Sequence, residues 1–439
     1  LIRFKERTIQ ILLVIITLVM TIFRFLLNEN GRVSPDSIRY MRFAHVFPTI
    51  DNTTTPLGYP LAIKFFTFFG LDEFWSSKAI GIMAFLFIIV FTWRKKFFFR
   101  ESVILCSLFS FLSIFSFTMS EALILPFVFV FLYVSASIIE GKLEKGKAIF
   151  YLTLSLIALY NIRYSSLFII GGAGLFGLFF YKRKYASSFI ISGMIGVTFV
   201  ILYKFLFIDY FNENYINDAL EIGLHPTSQL LVELFQGLCT TFNPFIHISD
   251  PGGGKINYAI YGIGLVNILA MAYVFVKHKL SETETFYIFV SIAGIACSYF
   301  IQYFYSVNPL DYRLLAPFSL PVWLVYFRRL FQIFSIKTYA LGFLSLLSGM
   351  LFTWLSKGNY LENRREMKQF LQAEKLDKIP LKFYLETTED LDKIQVAELM
   401  STVNADVSLT FKPKDTLQRT TLTRYKVLQK IKIDKNKYQ

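Results

Sequence analysis

Charge is scarce in this chain. Of its 439 residues only 17% are Asp, Glu, Lys or Arg, against about 25% in an average soluble domain. Cysteine is nearly absent: Cys106, Cys239 and Cys297 stand far apart, so neither a disulfide framework nor a thiolate metal site is implied. The four histidines form no cluster. What the chain has in abundance is apolar surface, at 54% hydrophobic and 18% aromatic residues with a mean hydropathy of +0.50. That composition belongs to a membrane protein. The net charge of +14 is a poor argument for nucleic acid, because much of it lies in short loops between apolar runs, where it orients helices. The first apolar run has no small-residue cleavage site after it and reads as a retained helix.

A helix needs about 20 apolar residues to cross the hydrocarbon. Spans are expected near 8–27, 74–93, 101–117, 119–139, 148–162, 164–181, 186–207, 256–276, 285–305, 315–331 and 338–356, eleven in all. The stretch PLGYPLAIKFFTFF at 56–69 is too short, carries Lys64, and reads as an interfacial helix. With this count RFKER, RKKFFFR, YKRKY, KHK and FRRLFQIFSIK all fall on one side, which the positive-inside rule makes cytoplasmic. The opposite side receives the long loops 28–73 and 208–255 and everything after 357. The expected architecture is thus an all-α polytopic module, 1–356, followed by a small soluble α/β appendage, 357–439, both its site and its tail extracytoplasmic.

Span centres carry almost no charge, since one there costs roughly 2.5–3.5 kcal/mol. The ionisable residues gather near one set of helix ends. Arg24, Lys64, Lys78 and Lys204 read as snorkelling anchors. Asp36, Glu121, Arg163, Asp311 and Arg313 have less reason to sit in short outer segments and are the candidate functional groups. In SPDSIRYMRFAHVF, Ser34 suits an N-cap, Pro35 the first helical position, and Asp36 the first turn, where the helix dipole favours a carboxylate. Tyr40 follows one turn on. The second long loop repeats the pattern: HPTSQLLVELFQGLCTTF places Leu230, Leu231, Leu234, Phe235 and Leu238 on one face of another interfacial helix. SDPGGGK at 249–255 lacks the first glycine and final hydroxyl of a phosphate loop and reads as a hinge.

The order of these features resembles the GT-C superfamily of polytopic glycosyltransferases, in the branch of protein O-mannosyltransferases and bacterial aminoarabinose transferases. The likeness runs through PDSIRYMRFA, TPLGYPLAI, TMSEALIL, NIRYSSLF and DYRLLAPFSLP, over residues 8–356. It implies a transferase of the cell envelope, in a bacterial inner membrane, that moves a sugar from a polyprenyl-phosphate donor to a hydroxyl of a glycan, lipid or protein acceptor, with inversion. It implies Asp36 as general base and Glu121 as a second catalytic acid. Arg163 and Arg313 would meet the donor phosphate, and Tyr40, Tyr59, Asp311 and Tyr312 would line the substrate site. Two departures stand out. Ser37 follows Asp36 where many relatives have an acidic pair, and Thr53, Thr54 and Thr55 stand where some carry a basic residue. Some members use a divalent cation. Asp36 and Glu121 would be its ligands here, but no metal is expected from the residues themselves.

Residues 357–439 turn charged. NRREMKQFLQAEK reads as a polar helix, LKFYL (381–385) and DVSLTF (406–411) as strands, and DLDKIQVAELMSTV (390–403) as a helix between them. Two other readings stay open: a non-catalytic subunit of GT-C-like fold in a larger membrane complex, and a lipid or saccharide flippase, which would place broken helices near the midplane.

Overall fold

The computed structural model describes residues 2–212, 223–224, 226–247, 254–305, 309–387 and 391–429. The chain is a polytopic helical membrane protein. Its helices are α1 (Ile2–Leu26), α2 (Pro35–Val46), α3 (Gly58–Thr67), α4 (Glu73–Lys95), α5 (Phe99–Ser107), α6 (Phe109–Ser116), α7 (Ser120–Ile139), α8 (Lys145–Ile162), α9 (Leu167–Phe179) and α10 (Ala186–Tyr203). They continue with α11 (Thr227–Thr241), α12 (Ile256–Lys277), α13 (Glu282–Phe304), α14 (Tyr312–Phe334), α15 (Tyr339–Leu355) and α16 (Tyr360–Ala373).

Each of the eleven expected spans coincides with a helix or, for 101–117, with the pair α5 and α6. Among the described residues seven helical stretches are long and apolar enough to cross a membrane, or eight with that pair counted as one. One of the seven, Tyr312–Leu355, is itself a hairpin, α14 and α15 folding back at Ser335. Tyr312 at the start of α14 and Phe352 near the end of α15 meet the same Phe109–His247 pair. α9 is shorter, at 13 residues.

The single span expected over 101–117 is bent by 74°. Leu108 takes an extended conformation there. The break frees the Phe109 N–H, which donates to Ser345 Oγ at 2.8 Å. A freed backbone donor in lipid requires such a partner.

The second outer loop also departs from expectation. α11 does not lie flat. Its C-terminal end reaches the level of Trp323, halfway along α14, where the Phe242 ring sits 5.9 Å away. The chain then turns back, and His247 emerges beside Tyr312. Asn267, in the middle of α12, donates to the Phe242 carbonyl at 2.8 Å. Leu231 and Phe235 remain exposed, so the expected apolar face is split. Close backbone contact drives the insertion: a Cβ on Gly264 would lie 2.1 Å from the Cys239 carbonyl. Most of the expected hinge, residues 249–253 of 249–255, lies outside the described residues.

The basic segments share one end of the bundle. Arg100 pairs with Glu6 at 2.6 Å, Arg183 with Glu282 at 2.7 Å and Arg329 with Glu284 at 2.5 Å. At the other end, β1 (Leu381–Tyr384), α17 (Leu391–Ser401), β2 (Val407–Thr410), β3 (Thr421–Leu422) and α18 (Arg424–Leu428) complete the tail. The sheet order is β2-β1-β3, both pairs parallel, with Phe383 opposite Leu409 and Leu422. β3 was not expected, and Phe411 lies past the strand and is exposed. Tyr360, Met367 and Leu371 pack with Val33, Ile38, Met41 and Phe74, and Arg42 reaches Asp406 at 3.6 Å. The tail therefore clamps the outward side of α2. The opposite side of α2 buries Tyr40 and Ala44 against Tyr59, Ile63, Ile80 and Met119. Each such side chain contributes about 1.5–3 kcal/mol when fully buried, so α2 is held from both faces. α3 and the turn after it keep Leu61, Phe65, Phe68 and Phe69 exposed, as a helix lying in the interface would.

Candidate active site

α2 begins as its residues demand. Ser34 is the N-cap, its N–H donates to Ser37 Oγ at 2.9 Å, and Pro35 opens the helix. Asp36 in the first turn projects outward at 55% exposure, with Arg39 at 3.7 Å as a loose partner. Tyr40 turns inward. Its hydroxyl lies 3.0 Å from that of Ser120, and its ring meets Tyr59 edge-on at 5.0 Å. Burial, then the Glu121 charge, push the Tyr40 phenol above its ordinary range, and burial does the same for Tyr59. Both are neutral hydroxyls.

Glu121 is the second residue of α7, a position the helix dipole favours for an anion. It is 2% exposed and meets Arg163 Nη1 at 2.9 Å. Arg163 ends α8, and its Nε donates to Ser165 Oγ at 3.0 Å. Arg313 stands across the site at the start of α14. Its Nε donates to Asp311 at 3.1 Å, while the Asp311 carboxylate caps the helix by accepting from the Arg313 and Leu314 N–H groups. The Tyr312 ring packs on His247 at 3.9 Å between ring centres, tilted by 48°.

All eight expected residues thus lie at one end of the bundle. Tyr40, Tyr59, Glu121 and Arg163 form a tight cluster. Arg313, Asp311 and Tyr312 form a second group, with no ion pair to Glu121. Asp36 sits at the rim, touching neither. Glu121, expected among the catalytic groups, is occupied by Arg163. No group of three metal-ligating side chains occurs among the described residues, and the Glu121 carboxylate is already paired with Arg163.

Two expected anchors are corrected. Arg24 and Lys78 are 3% and 2% exposed and do not snorkel. The Lys78 ammonium donates to the Ser116 and Arg32 carbonyls at 2.9 and 3.3 Å. Arg32 lies 3.9 Å from the Phe117 ring centre, with Arg313 at 5.5 Å from the same ring. Neither Arg32 nor His247 was singled out by sequence.

Beneath Tyr40 and Tyr59 an apolar groove of about 270 Å³ runs between α3, α4 and α7, lined by Phe66, Ile80, Met83, Phe87, Leu123 and Phe127. A larger cavity of about 900 Å³ lies at the basic end, bounded by Lys95, Arg100, Glu101 and Arg328, and holds none of the site residues.

No protein-family model matches the chain. No curated protein matches it either. Among solved structures it is similar to the apo crystal structure of ArnT from Cupriavidus metallidurans, with 14% identity and a TM-score of 0.43 over 89% of this chain and 84% of that one. The overlap is partial, and the functional reading rests on the residues and geometry of the site.

Proposed function

We propose that the protein is a membrane glycosyltransferase that takes a sugar from a polyprenyl-phosphate donor and passes it, with inversion, to an acceptor hydroxyl at the extracytoplasmic interface. The observation that carries this reading is the buried Glu121–Arg163 pair at 2.9 Å, set under an interfacial helix whose first turn presents an exposed carboxylate, directly above an apolar groove. A prenyl chain fits the groove by its chemistry. Its phosphate would then stand near Arg163 and Arg313, whose planar donor forks suit phosphate oxygens.

In the transfer, the acceptor oxygen bonds to the anomeric carbon as the bond from that carbon to the phosphate oxygen breaks. The electron pair leaves with the phosphate, and the acceptor proton passes to Asp36. Asp36 has no short ion pair to hold its lone pairs, and it is reachable from outside, as a general base must be. Glu121 is a positioning residue in this scheme. It fixes the Arg163 guanidinium where charge develops on the leaving group. Tyr40 and Tyr59 would flank the lipid headgroup, and Tyr312 and Asp311 would bound the acceptor side. The donor, membrane lipids and an acceptor of glycan, lipid or protein class are the implied partners.

The test is transfer of radiolabel from a polyprenyl-phosphate sugar by the purified protein in nanodiscs, across a panel of sugars, with Asp36→Asn as control. Turnover abolished by that change supports the reading. A second reading, a lipid or saccharide flippase, is favoured by the bend at Leu108 and by the dip of α11 to mid-bundle, since transporters use broken helices near the midplane. Fluorescent-lipid translocation by proteoliposomes, with no sugar transfer from any donor, would select it.

A further inference from the structure

The outer end of the bundle holds buried positive charge that the transfer just described does not use. Arg24 lies in the last turn of α1. Its Nη1 reaches the hydroxyls of Thr353 and Ser356 only at 3.4 Å each. Among the described residues its Nε and Nη2 are buried without an acceptor and no carboxylate pairs with it. The guanidinium carbon sits 4.9 Å from the Phe109 ring centre. The other neighbour of Phe109 is His247, 4.5 Å away ring to ring. Both His247 ring nitrogens are buried and have no hydrogen-bond partner among the described residues.

Lys78 shows that this fold can satisfy a buried cation when the cation is structural, because two backbone carbonyls accept from it. Arg24 and His247 are treated differently. A buried guanidinium with idle donors is one of the costliest arrangements a fold can keep. It is retained where a ligand completes it. The ligand must be anionic, to answer the buried guanidinium, and rich in acceptors, to use the Arg24 fork and an imidazole N–H together. A carboxylate offers two oxygens, whereas a phosphate offers three or more around one centre.

We propose that Arg24 and His247, the two neighbours of Phe109, form an oxyanion site for a phosphate or diphosphate group, distinct from the Glu121–Arg163 pair. The site goes beyond the proposed sugar transfer and would stand if the chain transferred no sugar. The group it takes belongs either to the diphosphate of a lipid carrier or to a phosphorylated acceptor.

The full-length protein in detergent is titrated with inorganic pyrophosphate and with inorganic phosphate, following melting temperature and heat of binding. Pyrophosphate is expected to raise the melting temperature saturably. Arg24→Met should weaken binding roughly ten- to a hundred-fold, the worth of a charge-assisted hydrogen bond. The same change should raise the melting temperature of the ligand-free protein, because an unpaired buried charge is gone. His247→Phe keeps the ring between Phe109 and Tyr312 and should weaken binding with little change in ligand-free stability. If Arg24→Met lowers ligand-free stability and leaves the pyrophosphate response unchanged, Arg24 is a strut and the proposal fails. If that variant does not fold, His247→Phe decides alone in the same titration, and unchanged binding overturns the site. Farnesyl diphosphate binding about tenfold more tightly than pyrophosphate assigns the group to a lipid carrier. Glucosamine 6-phosphate binding about tenfold more tightly than phosphate assigns it to an acceptor. Absence of binding by all four probes overturns the proposal.

Discussion

Glu121→Gln is the most informative single change. It preserves shape and removes one charge from a pair separated by 2.9 Å, with the carboxylate 2% and the guanidinium 15% exposed. At an effective dielectric of about 20, the gross attraction at that 2.9 Å separation is about 6 kcal/mol. Desolvation of both groups offsets much of it. What the substitution exposes is the cost of leaving Arg163 buried without its anion, about 3–5 kcal/mol for buried pairs. The partial exposure of Arg163 puts the expectation near the lower end of that range. Replacing both partners, with Glu121→Gln and Arg163→Met together, should recover most of the loss, since paired apolar or neutral replacements are often tolerated.

The assay is a double-mutant cycle on unfolding rates in detergent, because a polytopic protein is better described by its rate of unfolding than by an equilibrium. A coupling of about 2–3 kcal/mol is expected. A coupling below about 0.5 kcal/mol, the level at which independent sites simply add, would refute the buried pair. It would also remove the reason for treating Glu121 as the residue that orients Arg163. Turnover should fall in both single variants and should not return in the double variant, since stability can be restored without a guanidinium but phosphate binding cannot.

Asp36→Asn should leave stability nearly unchanged, given its exposed side chain, while turnover drops about 10²–10⁴-fold; a stability collapse with normal turnover per folded molecule would reduce Asp36 to a helix-start charge. Arg313→Ala should weaken donor-lipid binding and Arg313→Lys restore it only in part, because the planar fork is lost; unchanged affinity in both would clear Arg313 of the role. With Cys297 replaced, Leu417→Cys in the tail should label from outside intact cells and Arg183→Cys only after permeabilisation; labelling from one side would overturn the assignment of the tail to the outer face. The His45 ring pairs with Glu73 at 2.7 Å, and that hydrogen bond raises its pKa above the ordinary histidine range. The stabilisation is therefore full below the unfolded value and is lost as pH rises through the raised one. The half-exposed position limits it to under about 1 kcal/mol, and His45→Gln should flatten that part of the pH–stability curve.

Much of this was legible in the sequence where local chemistry decides the outcome. Ser34, Pro35 and Asp36 announce the start of α2, and α2 starts there. Alternation over 381–385 and 406–411 announces two strands, and they pair in parallel across α17. What was hidden depends on distant partners. No proline or glycine marks the bend at Leu108; its freed N–H is satisfied by Ser345, 236 positions away in the chain. The dip of α11 was hidden for the same reason. Its leucines suggest a surface helix, but Gly264 of α12 admits the α11 backbone at the Cys239 carbonyl, Gly237 of α11 admits the Leu310 carbonyl, and Asn267 waits at the right depth. Asn267 was visible as a lone polar residue in a span. Its use as a donor to the Phe242 carbonyl was not.

The misreading of Arg24 and Lys78 has a more general cause, and the sequence contained the corrective. Distance from a span's end says how cheaply a charge can snorkel, but not which way the helix is turned. In a membrane the direction is read from the small and polar residues, which face protein, against the bulky apolar ones, which face lipid. On α1 the buried residues are Leu13, Thr17, Met20, Thr21, Arg24 and Phe25, while Ile11, Leu12, Ile15, Val19 and Phe23 are exposed. Arg24 continues the threonine stripe. On α4, Phe74, Ser76, Ser77, Lys78, Ile80, Gly81, Ala84, Phe85, Ile88 and Thr92 are buried, and Lys78 lies beside the two serines and the glycine. Lys64 and Lys204 differ. Lys64 is followed by exposed Phe65, Phe68 and Phe69, and Lys204 lies among exposed Ile201, Leu202, Phe205 and Leu206. Those two behave as anchors. A charge one turn inside a span is thus an anchor when it shares the bulky stripe and part of the interior when it shares the threonine, serine and glycine stripe. In this chain the rule sorts all four lysine and arginine candidates, and the two it sends inward sit beside the candidate active site.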